Sequence, residues 1–348
     1  MLADEADHLI GTDTHRDTHT AAIIATATGE LGPSLTTPAD HAGYRGLLAF
    51  ARRHALGRRA WAIEGTSAYG AGLCAYLRER GERVIEVDRP KRPTRRRAAK
   101  SDELDAIAAA REVLARKHPT EPRRRGEREA VRVLLRTRQG AVKARTQALA
   151  QLKALRVTAP EHLRAKLRGL RGAALVGRCS RLRTSERHST EERMTRIALR
   201  SAARRVERLE TEISELEAEL WPLLRSICPA LLAERGVGLS SAAELVNAWS
   251  HRGRVRSEAA FAMLGGVAPI PASSGQTVRH RLNRGGDRQL NRALHTIVGS
   301  RLQHDPETRA YAARRTAEGK TTREIRRCLK RYVSRHLFRL LETEALMS

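Results

Sequence analysis

Over its first 113 residues the chain alternates short β-branched runs with helical repeats, and that alternation leaves few ways to build a sheet. Residues 9–13 and 18–25 read as two β-rich runs around a polar centre, with Gly29 and Glu30 as a turn after them and Leu35 to Thr37 as a third short strand. Tyr44, Leu47, Leu48 and Ala51 recur at helical intervals and predict a helix over 39–54. A fourth strand over 59–63 ends at Glu64 and Gly65. A second helix then covers 68–80, a fifth strand 83–88, and a third helix opens at 102. The order β-β-β-α-β-α-β-α implies a mixed sheet covered by helices.

This order is the ribonuclease-H-like arrangement, in which the first and fourth strands lie side by side. Asp13 on one and Glu64 at the end of the other would then point into one crevice. Asp102 and Asp105, three apart at the start of the third helix, share one of its faces. Four carboxylates from three elements can hold two Mg²⁺ ions about 4 Å apart, a geometry that stabilises both the attacking and the leaving oxygen of phosphoryl transfer. Taken singly, each acid has an ordinary reading. An Asp at a helix start caps it, Glu64 ends a strand, and Asp17 shapes a turn. His15 and His19 stand beside Asp13, but hard-ion chemistry with oxygen ligands does not require them.

The chain around these acids is strongly basic. Sixty-six Lys and Arg face 39 Asp and Glu, a formal charge of +27, and 58 of the 66 are Arg. A GC-rich coding sequence would also raise Arg and Ala, yet a field of this size points to nucleic acid as partner, and the guanidinium fork grips phosphate in a bidentate way. Aromatic residues make up only 3%, which argues against base-stacking platforms of the kind that read single strands. Arg92, Arg95, Arg96, Arg97 and Lys100 crowd a proline-punctuated loop just before Asp102, suited to holding a phosphate backbone over the carboxylates. No run of about 18 apolar residues is present and the N-terminus lacks a basic-then-apolar leader, so no membrane partner is expected and the protein should be cytoplasmic. Cys74, Cys179, Cys228 and Cys328 are too scattered for a metal site or a disulfide framework.

Three domains are expected: 1–125, α/β; 126–228, basic helices and a coiled coil; and 229–348, mainly α. A long amphipathic helix covers 127–155, and an Arg-, Ser- and Gly-rich stretch over 164–193 reads as an irregular connector. Leu199, Ala202, Val206, Leu209, Ile213, Leu216, Leu220 and Leu223 then step by three and four, the a/d spacing of a coiled coil. Its partner is a second copy of the chain or, alternatively, the 127–155 helix running antiparallel. Further on, Gly236-Val-Gly238 opens a helix. Ser273-Ser274-Gly275 precedes a segment dense in base, with Arg279, Arg281, Arg284 and Arg288. A serine in a flexible loop among guanidinium groups has what attack on a phosphodiester needs. The terminal helix over 321–342 is amphipathic and basic.

Together these residues resemble the insertion-sequence-110 family of bridge-RNA-guided transposases. The likeness runs from Ile10-Gly-Thr-Asp13 with Arg16-Asp17, Ile63-Glu64 and the segment Lys100 to Ala106 through Gly236-Val-Gly238, Gly266-Val-Ala-Pro269, Ser274-Gly275 and Gly285-Gly286-Asp287-Arg288 followed by Leu290. The resemblance implies an N-terminal RuvC-like domain whose Asp13, Glu64, Asp102 and Asp105 bind Mg²⁺, and a C-terminal transposase domain whose Ser274 becomes joined to DNA, with Ser273 as the adjacent competitor. It implies donor and target DNA, a structured non-coding guide RNA, and a homo-oligomer, dimer or tetramer, in which one subunit's acids meet another's serine. Such a protein would work on the nucleoid of a prokaryote. Asp287 and Asn291 depart from the family's usual Asn and Arg, which puts phosphate contacts there in question. Two other readings remain: a RuvC-like nuclease or junction resolvase that hydrolyses with water, needing the acids but not the serine, and a catalytically silent nucleic-acid-binding protein.

Overall fold

A computed structural model describes residues 2–87, 101–116, 118–272 and 280–347. The chain divides into two compact units, one of Met1–Arg124 with Gly253–Val255, the other of Arg125–Arg252 with Arg256–Ser348.

The first unit begins with a single helical turn, α1 (Leu2–Glu5), and is built on a five-stranded sheet. Strands β1 (His8–Thr14), β2 (Thr18–Ala25) and β3 (Leu31–Pro38) run antiparallel in sequence. After α2 (His41–His54), strand β4 (Arg59–Glu64) joins the far side of β1 in parallel. After α3 (Ala71–Arg78), β5 (Arg83–Val87) joins β4 in parallel. The resulting order, β3-β2-β1-β4-β5, is consistent with a ribonuclease-H-like start. Side chains alternate across the strands. Leu9, Ala22, Ile24, Ala60, Ala62 and Ile85 pack on one face against Ala106, Ile107, Ala110 and Val113 of α4 (Asp102–Leu114). Ile10, Ala21, Ile23, Trp61, Ile63 and Val84 pack on the other face with α2 and α3. Trp61 is fully buried, and its indole N–H donates to Glu82 at 3.0 Å, so the burial leaves no unpaired donor.

Strand β3 is longer than its sequence suggests, because Gly32 and Pro33 argue against a strand. It is an edge strand, exposed or half-exposed throughout, where a proline removes no essential ladder bond.

The second unit is almost wholly helical. Its elements are α5 (Glu127–Thr158), α6 (Glu161–Leu167), α7 (Gly172–Ser180), α8 (Thr190–Ile227), α9 (Pro229–Ala233), α10 (Leu239–Trp249) and α11 (Glu258–Leu264). Two antiparallel strands of two residues each, β6 (Ile270–Pro271) and β7 (His280–Arg281), follow, then α12 (Arg288–His304), α13 (Pro306–Ala317) and α14 (Thr322–Met347). Helices α5 and α8 pair within the chain and run antiparallel. Arg138 pairs with Glu217 at 2.6 Å, Arg145 with Glu210 at 3.9 Å, and Arg205 donates to Gln151 at 3.4 Å. Leu199, Ala202, Val206, Ile213 and Leu220 of the heptad seam are buried, while Leu209, Leu216 and Leu223 are half-buried. Much of the seam is therefore covered from inside the chain.

The stretch read as an irregular connector is in fact folded into α6, α7 and the start of α8. Leu163, Leu167, Leu175, Val176 and Cys179 join Leu152, Leu199 and Val206 in one core. Burial of five apolar side chains outweighs the weak helix signal of a segment crowded with Arg and Gly. All four cysteines are free thiols, three of them buried. Among the described residues, no helix is long and apolar enough to cross a membrane.

Candidate functional site

The placement of the four sequence-selected acids follows from the sheet. In the parallel register of β1 and β4, Thr12 faces Ile63, which brings Asp13 and Glu64 to the next position at the C-terminal ends of neighbouring strands. Asp13 lies two residues beyond Gly11 and Glu64 two beyond Ala62, so both stand on the sheet face that α4 covers. The Thr14 hydroxyl donates to the Glu64 carbonyl at 2.9 Å and holds the two strand ends together.

Helix α4 approaches β1 closely because position 11 is glycine. A Cβ there would run into the carbonyl oxygen of Ala106 and sit 2.9 Å from the Cβ of Ala110. Alanines on one side of α4 and a glycine on β1 thus let the helix lie on the strand, and its first turn ends up over Asp13. That turn is fixed twice. Ser101 caps it by accepting from the Leu104 N–H at 3.2 Å, and Ser34 on β3 donates to Glu103 at 2.7 Å.

Asp13 is 8% exposed. Burial raises its carboxyl pKa, the neighbouring Asp102 and Asp105 push it the same way, and His15 partly opposes them. His15 Nε2 lies 2.9 Å from Asp13 Oδ2 and 3.9 Å from Asp102 Oδ1. Asp13, His15 and Asp102 offer ligand atoms all within 4.8 Å of one another. This donor set, with two carboxylates and an imidazole, suits a divalent cation. His19 takes a different position: fully buried on the opposite face, it stacks on Tyr44 and is bonded through Nδ1 to the Thr18 carbonyl.

In the second unit, β6 and β7 bracket residues 273–279. Ser273, Ser274 and Arg279 lie outside the described residues, as do Arg92, Arg95, Arg96, Arg97 and Lys100. Arg281 lines a cleft of about 740 Å³ with Lys320, Arg327, Lys330, Arg331 and Arg335 around Tyr332 and Glu324. Arg284 and Arg288 are exposed close by in sequence, Arg288 opening α12. The cations of α14 follow no motif in the sequence, because a basic helix face has none. Their spacing of three and four was the signal available.

The two departures from the family pattern have structural explanations. Asp287 caps α12 by accepting from the N–H groups of Gln289 and Leu290. Asn291 donates to the Gly265 carbonyl at 2.7 Å and accepts from Lys330 at 2.9 Å. Gly286 packs against the backbone of Gly266, whose φ of +63° no ordinary side chain favours, so the glycines of this region serve close packing.

A mixed sheet with clustered carboxylates, followed by a helical unit with a basic cleft, is the architecture of a two-part nucleic-acid enzyme. Comparison with known proteins is more specific. Residues 10–158 match the DEDD transposase family of IS110, described as Transposase, and residues 228–313 match the Transposase IS116/IS110/IS902 family. The two matches span about two thirds of the chain, and the chain belongs to the IS110 family of transposases. It is also similar to the insertion element IS110 uncharacterized 43.6 kDa protein of Streptomyces coelicolor, 33% identical over 123 residues. That match covers 34% of this chain and 30% of the relative, so the chain is aligned with under a third of that protein's length.

Proposed function

We propose that this chain is a DNA transposase that cuts and rejoins strands at a divalent-cation centre made by Asp13, Glu64, Asp102 and Asp105. The observation that carries the reading is the shared sheet face of Asp13 and Glu64, with α4 packed on it through Ala106 and Ala110 at Gly11. Bound cations would polarise the phosphate and stabilise the developing oxygen charges; Mg²⁺, two per centre, is the assignment that the resemblance supports. The chain's own part is to collect the polyanion on its basic surfaces and to hold the carboxylates in place before substrate arrives.

The reaction takes Ser274 as nucleophile. Its Oγ bonds to a backbone phosphorus as the bond from that phosphorus to one DNA end breaks. The hydroxyl proton leaves to solvent or a carboxylate, and the departing oxygen is protonated in turn. A hydroxyl end freed from the other DNA then attacks the phosphoserine phosphorus. The bond to Ser274 Oγ breaks, the serine oxygen regains a proton, and the phosphodiester is conserved with a new partner. Arg281 and the cations of α14 lie in the same unit as this serine and would bind the non-bridging oxygens. A structured RNA from the element would choose donor and target by base pairing, in keeping with a surface rich in Arg and poor in aromatics. Pairing of subunits would bring one chain's acids to another's serine.

The test is strand transfer between a plasmid bearing the element junction and a target plasmid, with Mg²⁺ and the flanking non-coding RNA. A protease-sensitive protein–DNA adduct that is absent in Ser274→Ala supports the proposal. Cutting that survives Ser274→Ala but is lost in Asp102→Ala means a nuclease that uses water.

A further inference from the structure

We propose that His15 is a nitrogen ligand of this centre, and that the centre consequently favours a first-row transition cation such as Mn²⁺ over Mg²⁺. The inference rests on reading the carboxylates as a cation site and adds to it a residue that such an oxygen-only set does not contain.

The placement of the ring is set by the backbone. Asp13 is near the end of β1, and the His15 N–H donates to the Thr18 carbonyl at 2.9 Å, closing the tight turn into β2. The turn directs the imidazole back over the strand end, toward the first turn of α4. Its Nε2 then lies between two carboxylates on different elements, 2.9 Å from Asp13 Oδ2 and 3.9 Å from Asp102 Oδ1.

These separations suit ligands of one ion. With bonds of about 2.1–2.2 Å in an octahedral shell, neighbouring donors sit about 3.0 Å apart and opposite donors about 4.3 Å. The side chains of His15 and Asp102 are about half exposed while that of Asp13 is 10% exposed, so an ion could enter from solvent and reach the buried oxygen last.

The chemical consequence follows from ligand preference. Mg²⁺ keeps oxygen ligands and water and takes a protein nitrogen reluctantly. Imidazole suits transition cations, and affinity for a mixed nitrogen–oxygen site rises along the first row from Mn²⁺.

The experiment uses the full chain with Mn²⁺ and Mg²⁺ alone. Pulsed electron paramagnetic resonance of bound Mn²⁺ would read nitrogen coupling, and calorimetry would read affinity, in wild type, His15→Ala, His15→Gln and Asp102→Asn. The expected result is nitrogen modulation in wild type that vanishes in both His15 variants. Their Mn²⁺ affinity should fall by about tenfold or more, with Mg²⁺ affinity nearly unchanged. Absence of nitrogen coupling while Asp102→Asn abolishes Mn²⁺ binding would overturn the role of His15 and leave the carboxylate centre standing. Tighter binding of both cations by His15→Ala would also overturn it, making the ring a plug. Mn²⁺ binding that Asp102→Asn leaves intact would overturn the carboxylate centre itself, and the proposal with it.

Discussion

Gly11 and Ala106 meet backbone to backbone: a side chain at position 11 would occupy the space of the Ala106 carbonyl oxygen. This contact fixes how far the first turn of α4 stands from β1, and so where Asp102 and Asp105 stand relative to Asp13. Gly11→Ala should lower stability by about 1–3 kcal/mol, the range for overpacking a filled core. It should also weaken Mn²⁺ binding, since relief of the clash pushes the helix away. Thermal unfolding and a cation titration on the same preparation check both.

The antiparallel pairing of α5 and α8 predicts charge-swap behaviour. Arg138 and Glu217 are partly buried and their charged groups lie 2.6 Å apart. Arg138→Glu or Glu217→Arg alone should cost about 1 kcal/mol, and the double reversal should recover most of it. Denaturant unfolding of the four proteins measures the coupling. A double mutant no better than the sum of the singles would contradict the pairing.

Much of this architecture was legible because its elements are strongly patterned. The strand order followed from β-branched runs separated by helical repeats, and with it came the shared face of Asp13 and Glu64. The heptad steps of α8 marked a seam, yet both candidate partners satisfied the pattern, so only the fold singles out α5. Helices α6 and α7 were hidden by Arg and Gly, whose weak propensity is overridden once Leu163 and Leu175 are buried. Strand β3 was obscured by Pro33, which an edge strand tolerates. The position of His15 carries no periodic signal, because a turn aims it.

Acid should loosen the helical unit through Glu192. This carboxylate accepts from His162 and Arg196, and those bonds hold its pKa down at about 2. A depressed carboxylate pKa means that ionised Glu192 favours the folded state. That stabilisation is fully present above the ordinary value of 4.5 and is lost as pH falls toward 2. Glu192→Gln should therefore be less stable than wild type at neutral pH, with the difference shrinking between about pH 4.5 and 2. Chemical denaturation across that range reads the convergence.

The cleft beside the β6–β7 hairpin should contribute phosphate contacts. Arg281 and Arg327 are exposed there, so replacing them should leave folding intact. Arg281→Ala and Arg327→Ala should each weaken binding of unrelated DNA duplexes to a similar degree. Each should also flatten the slope of log affinity against log salt by about 0.9. Fluorescence anisotropy over a salt series tests this, and an unchanged slope would remove the residue from the interface.

The central claim is that four carboxylates on three elements form one cation centre that cuts DNA. The most direct measurement is strand cleavage of the element junction by Asp13→Asn, Glu64→Gln, Asp102→Asn and Asp105→Asn beside wild type, with DNA affinity measured in parallel. All four variants should bind DNA as wild type does and cut at least about a hundredfold more slowly, since each loses a charged ligand of the centre. A variant that binds and cuts like wild type would show that its carboxylate lies outside the centre, and cleavage persisting in all four would contradict the account.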